Sequence, residues 1–170
     1  MKDPVPGRLY LIPTTLSNDR LDFSIPPRVL EVAGRLDEFV VENVKSACKF
    51  LGLAGSVKPM GEIAFRVVNV DTPETDILSC LDAALSGKDV GLLSEAGCPC
   101  VADPGARVVR LAHELGIRVV PLTGPSSLVL ALMGSGLNGQ SFCFHGYLPI
   151  ERRARRERIR ALDKEAHSTG

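Results

Sequence analysis

Short runs of Val, Ile and Leu alternate along this chain with helix-like patterns, and no other feature restricts the fold as much. An apolar run suits a strand buried on both faces, and parallel strands need crossover helices to cover those faces. RLYLIPT (8–14), EFVVE (38–42), IAFRVVNV (63–70), DVGLLSE (89–95) and IRVVPL (117–122) are the predicted strands. PPRVLEVAGRL (26–36), NVKSACKFLGLAG (43–55), PETDILSCLDAALSG (73–87) and DPGARVVRLAHELG (103–116) are the predicted helices. Their ends are marked: Pro26 and Pro27 open the first, Asn43 caps the second, and Gly55 and Gly87 stop the second and third. Residues 1–122 are therefore expected to form one α/β domain.

The remainder reads differently. TGPSSLVLALMGSG (123–136) is a helix apolar almost all round and is expected to be buried. QSFCFHGYLP (140–149) alternates as a strand, with Phe142, Phe144 and Gly146 on one face and Cys143, His145 and Tyr147 on the other. ERRARRERIRALDKEA (151–166) is a charged helix with Ile159 and Leu162 as its large apolar residues. One strand and two helices do not close a core, so 123–170 is expected to begin a second, truncated α/β domain, completed by further chain or by a partner.

With 170 residues, 45% of them hydrophobic, the chain is long enough to bury a real core. Lys plus Arg equals Asp plus Glu at 20 each, so net charge gives no overall attraction to nucleic acid. Charge is nevertheless uneven: residues 151–170 carry +3, leaving the first 150 at −3. No apolar run approaches the roughly 20 residues of a membrane span, and the start MKDPVPGRLY lacks an apolar leader, so a cytoplasmic protein is expected. The five cysteines are odd in number and scattered, which does not describe a disulfide framework. Cys98-Pro99-Cys100 lacks C-x-x-C spacing and has no second Cys/His pair nearby, so it reads as two small apolar residues in a turn rather than a metal site.

The chemistry is expected in LSEAGCPCVADPG (93–105), between the fourth strand and its helix. Ligands of parallel sheets bind beyond the carboxyl ends of strands, where backbone amides are free. Gly97 and Gly105 let backbone approach a ligand, Pro99 and Pro104 stiffen the path, and Asp103 can cap the following helix. LTGPSS (122–127) follows the next strand in the same style, with Thr123 or Gly124 as cap and Pro125 opening the helix. Neither loop matches G-x-G-x-x-G or G-x-x-x-x-G-K-[ST].

LYLIPT near the start, the stretch from Gly91 to Leu137 and FCFHGYLP (142–149) together closely resemble the tetrapyrrole methylase superfamily of S-adenosylmethionine-dependent methyltransferases. The nearest type is the small-subunit rRNA (cytidine-2'-O)-methyltransferase, whose pattern is similar to S-D-A-G-x-P-x-x-x-D-P-G followed by P-G-P-S-A. The resemblance covers nearly the whole chain. It implies S-adenosylmethionine held between two α/β domains, usually in a homodimer. It also implies cofactor contacts from Pro13, Thr14, Ser94, Glu95, Ala96, Gly97, Pro99, Gly124, Pro125, Ser126, Ser127 and Leu128.

Two stretches depart from the rRNA type. T-P-I-G-N-L is replaced by Thr14-Thr15-Leu16-Ser17-Asn18-Asp19, and A-E-D-T-R by Val41-Glu42-Asn43-Val44-Lys45, which keeps Glu42. A sulfonium methyl is already activated, so alignment dominates the chemistry. If the acceptor is a ribose hydroxyl, Glu42 or His145 could take its proton, whereas His113 reads as solvated. Arg152, Arg153, Arg155 and Arg156 could touch RNA phosphate, although the same helix reads equally as a solvated one braced by Arg153 and Glu157. Two other readings stay open: methylation of a tetrapyrrole ring, and a non-catalytic cofactor-binding or interaction protein.

Overall fold

The computed structural model describes residues 5–17 and 20–169. The first four residues of the MKDPVPGRLY start and Asn18–Asp19 of the departing loop lie outside them. The first unit runs β1 (Arg8–Ile12), α1 (Leu21–Ser24), α2 (Pro27–Arg35), β2 (Glu38–Val41), α3 (Val44–Ala54), a 3₁₀ turn (Met60–Glu62) and β3 (Ala64–Val67). It continues with α4 (Glu74–Ser79), α5 (Asp82–Leu85), β4 (Val90–Leu93), α6 (Gly105–Glu114) and β5 (Arg118–Pro121). Beyond it lie α7 (Ser127–Ser135) and α8 (Arg152–Thr169).

All five strands are parallel, in the order β3-β2-β4-β1-β5. The expected α/β sheet flanked by helices is what forms. Its two faces are covered separately. Tyr10, Ile12, Phe39, Val41 and Leu93 pack with Val29, Val32 and Ala33 of α2 and Phe50 and Leu51 of α3. Leu9, Val40, Val90 and Leu92 pack with Ile77, Leu81, Ala84, Val108 and Ala112 of the helices around α4 to α6. This two-sided burial is why the strands are apolar at successive positions.

Local signals explain the ends. Pro27 opens α2 at its first position, where a missing N–H costs nothing. The Asn43 side chain accepts from the N–H groups of Lys45 at 2.9 Å and Ser46 at 3.4 Å, and Gly55 closes α3 in the left-handed region at φ 77°. The predicted helix over 73–87 divides at Cys80 and Leu81, whose N–H groups bond to Ile77 and Leu78 three residues back. Such i to i−3 bonds tighten a turn and interrupt the α-helical ladder.

Three expectations need correction. Residues 140–149 form no strand, because strand alternation becomes a strand only against a partner, and none lies beside it among the described residues. α7 is not buried: none of its residues is, and Met133 is 73% exposed. Its sequence expresses a need for cover that the described residues meet only in part, at Leu128 and Leu132. α7 also starts later than expected, at Ser127 after Ser126, so neither Thr123 nor Gly124 caps it and Pro125 does not open it. Among the described residues no helix is long and apolar enough to cross a membrane.

Gly91 marks the tightest point of the sheet. A Cβ there would lie 2.6 Å from the Phe39 ring and 2.9 Å from Ile12 Cδ1. Gly91→Val should cost about 1–3 kcal/mol by overpacking. Gly52→Ala, on the open side of α3 with nothing within 4 Å, should stabilise by up to about 1 kcal/mol. Urea midpoints of the two variants moving in the same direction would contradict this packing.

Candidate functional site

Ile12, Val41 and Leu93 lie side by side in the sheet, so β1, β2 and β4 release the chain at one level. The connections then part: β2 leads outward to β3, whereas β4 leads the other way, past β1, to β5. A crevice opens where neighbouring strands send their loops apart, which is where open parallel sheets bind ligands. Here it is a cleft of about 330 Å³, at the lower end of ordinary ligand sites.

Thr14 to Ser17, Val41 to Asn43 and Leu93 to Ala96 bring the three strand ends to this cleft. α3 supplies one wall through Ser46, Lys49, Phe50 and Leu53. The β1 and β4 loops are tied together: Thr14 N–H donates to Gly97 O at 3.0 Å and Thr14 Oγ1 to Ser94 O at 3.3 Å. Ser94 Oγ donates in turn to Gly97 O at 3.0 Å. Thr14 and Ser94 are buried, and these bonds satisfy their hydroxyls.

The rest of LSEAGCPCVADPG is a frame. Gly97 sits at φ 71°, a left-handed conformation that glycine adopts freely, and a Cβ would meet Leu16 at 2.9 Å. Cys98 Sγ donates to Pro125 O at 3.3 Å, which ties this loop to the one after β5. Asp103 accepts from Cys100 N–H and Gly105 N–H, both at 2.8 Å, and so caps α6 while holding Cys100 at φ 70°. Burial, with the Asp103 charge, pushes the Cys100 thiol up to about 12, so this sulfur is an inert packing group.

Three carboxylates meet beside the β2 and β4 ends. Asp103 is committed to the backbone, and Glu95 Oε1 accepts from Ser46 Oγ across the cleft at 2.5 Å. Glu42 is the least compensated. Burial raises its carboxyl above the ordinary glutamate value, and the charges of Asp103 and Glu95 add to the rise while the Glu95 N–H opposes it.

Of the twelve residues implied as cofactor contacts, Thr14, Ser94, Glu95 and Ala96 line the cleft. Gly97 and Pro125 stand behind it through the bonds just described, and Gly124 packs so closely on Pro13 that a Cβ would lie 2.2 Å from the ring. Pro13, Pro99, Ser126, Ser127 and Leu128 line no part of it. Glu42 lines it, but His145 does not: it is exposed, with Nδ1 3.3 Å from Arg158 Nη2. The two proposed proton acceptors are therefore not brought together at the cleft. His113 is exposed, as expected. The α3 wall escaped the sequence reading, although Ser46, Lys49, Phe50 and Leu53 follow the 3–4 spacing of one helix face that begins just after Glu42.

A parallel α/β sheet with these loops and this cleft is the class of protein that the tetrapyrrole methylase motifs of the chain resemble. Within it, the chain is a relative of proteins named ribosomal RNA small subunit methyltransferase I. It is 34% identical to that of Xylella fastidiosa over 160 residues, covering 94% of this chain and 56% of the relative. It is 33% identical to that of Escherichia coli O157:H7 and 35% to that of Pseudomonas aeruginosa, each over 159 residues and 94% of this chain, covering 53% and 54% of the relative. The chain thus spans about half the length of the curated relatives it matches. No family model matches it.

The raised Glu42 carboxyl has a consequence for stability. Native Glu42 holds its proton more tightly than the unfolded chain does, so its contribution is full below about pH 4.3 and is lost as pH rises through the native value. Glu42→Gln removes the charge and keeps an acceptor for the Glu95 N–H. The urea midpoint of the variant should therefore gain on the native chain from about pH 4.3 towards neutrality. A pH-independent difference would contradict it.

Proposed function

We propose that this chain binds S-adenosylmethionine in the cleft at the β1, β2 and β4 ends and serves an rRNA methyltransferase whose acceptor is a ribose 2'-hydroxyl. The observation that carries the reading is that cleft, in a chain whose relatives bear the name ribosomal RNA small subunit methyltransferase I. Its lining suits such a ligand: Val41, Ala47, Phe50 and Leu93 offer apolar contact to a nucleoside, and Glu42 and Glu95 offer negative charge to a sulfonium and an ammonium.

When bound, S-adenosylmethionine supplies a methyl group already activated on sulfur. The protein's work is then alignment and exclusion of water. Thr14 and Ser94 to Ala96 form the wall that would hold the cofactor, and Gly97, Cys98 and Pro125 keep that wall in place. Glu42, with its raised affinity for a proton, takes the hydrogen of the acceptor hydroxyl. The reading includes α7 and α8 as the opening elements of a second α/β domain, and a cytoplasmic homodimer as the working assembly, both implied by the resemblance.

Calorimetric titration of the chain with S-adenosylmethionine and S-adenosylhomocysteine tests it. Both should bind. Ala96→Trp, which fills the cleft from an exposed loop position, should weaken binding at least about tenfold, a loss of about 1.4 kcal/mol, with thermal stability retained. Ser126→Trp, outside the cleft, should leave binding unchanged. A folded chain that binds neither ligand overturns the cofactor reading, and failure of a cofactor-binding chain to label small ribosomal subunits with methyl groups overturns the acceptor reading.

A further inference from the structure

The arginines of α8 differ in their partners. Arg153 Nε is 3.1 Å from Glu157 Oε1, and Arg158 is 3.3 Å from the His145 ring. Arg152, Arg155, Arg156 and Arg160 surround Ile159 and line an open groove. They follow the i, i+3, i+4, i+8 spacing of one helix face. Among the described residues none of these four forms an ion pair with a carboxylate. Arg155 Nη1 donates to Ile150 O at 3.1 Å, a bond that leaves its charge in place.

The nearby acids are turned elsewhere. Glu151 accepts from Arg153 N–H at 2.8 Å and Ala154 N–H at 2.6 Å, which caps the helix and holds its carboxyl below the ordinary range. Asp163 lies 3.8 Å from His167. Four like charges on one face repel one another and destabilise an isolated helix. A linear polyanion reverses that sign, because each guanidinium then meets a phosphate.

We propose that the Arg152, Arg155, Arg156 and Arg160 face of α8 is a docking surface for the sugar-phosphate backbone of RNA, read by charge and not by base sequence. From Arg152 to Arg160 the helix rises about 12 Å, which matches several consecutive phosphates of a nucleic-acid strand. The choice of RNA as the polyanion rests on the function proposed above. The face differs from the basic stretch as read in sequence: Arg153 leaves it and Arg160 joins it.

The test is fluorescence anisotropy of a labelled small-subunit rRNA fragment with the chain, measured across a series of salt concentrations. The quadruple variant R152Q/R155Q/R156Q/R160Q keeps good helix formers and should lower the slope of log K against log salt by about 3, from roughly 0.7 per phosphate contact on a single strand. R153Q/R158Q should leave the slope within one contact of the native value. An unchanged slope in the quadruple variant, an equal loss in R153Q/R158Q, or arginine-dependent binding to phosphatidylserine vesicles without binding to RNA would each overturn the proposal. S-adenosylmethionine titration of the quadruple variant separates the two readings. Retained cofactor binding with a lost salt slope supports the docking face, and a native chain that binds cofactor but shows a flat salt profile removes the face and leaves the cleft.

Discussion

Ile12, Leu93 and Val41 lie abreast in the sheet, and the site depends on that alignment. Three strands that end at one level release three loops into the same space, and the hydrogen bonds among Thr14, Ser94 and Gly97 are possible only there. The alignment is held by burial on both faces. Tyr10 and Ile12 face α2 and α3, and Leu9 faces the opposite helices. A shift of β4 by one residue would exchange the two faces of that strand and carry Ser94 away from Thr14.

Electrostatics give the cleft its direction. Glu42, Glu95 and Asp103 approach one another, and each carboxylate meets its charge differently. Asp103 takes two backbone N–H groups, Glu95 takes a serine hydroxyl, and Glu42 is left with one N–H and partial burial. A carboxylate so placed holds a proton more readily than one in water. It also favours a cationic ligand beside it, since opposite charge relieves what its neighbours impose.

The parallel sheet was legible because two-sided burial writes itself as apolar runs, and Asn43, Gly55 and Asp103 announced their caps by type and position. The β4 loop was legible for a related reason: Gly97 and Asp103 are there because the backbone turns sharply. The α3 wall was harder to see. Ser46, Phe50 and Leu53 read equally as an ordinary amphipathic face, and only the sheet order shows that part of this face borders the cleft. For α7 and for residues 140–149 the pattern states what a segment requires of its neighbours. Whether those neighbours exist is information that periodicity does not hold. His145 illustrates the limit: alternation gave it a face, but not a position near Glu42.

The charge distribution sets an apparent conflict for a chain proposed to handle RNA. The first 150 residues carry −3, and carboxylates line the cleft, so a phosphate backbone gains nothing by entering it. A sulfonium and a ribose hydroxyl, by contrast, would be served by the same carboxylates. The conflict disappears if backbone and reacting nucleoside are met by different surfaces. An arginine face within a 20-residue segment of net charge +3 can hold phosphates by charge, while a negative cleft admits one nucleoside beside a cationic donor. Dividing the labour this way lets Glu42 keep a proton affinity that an adjacent arginine would depress.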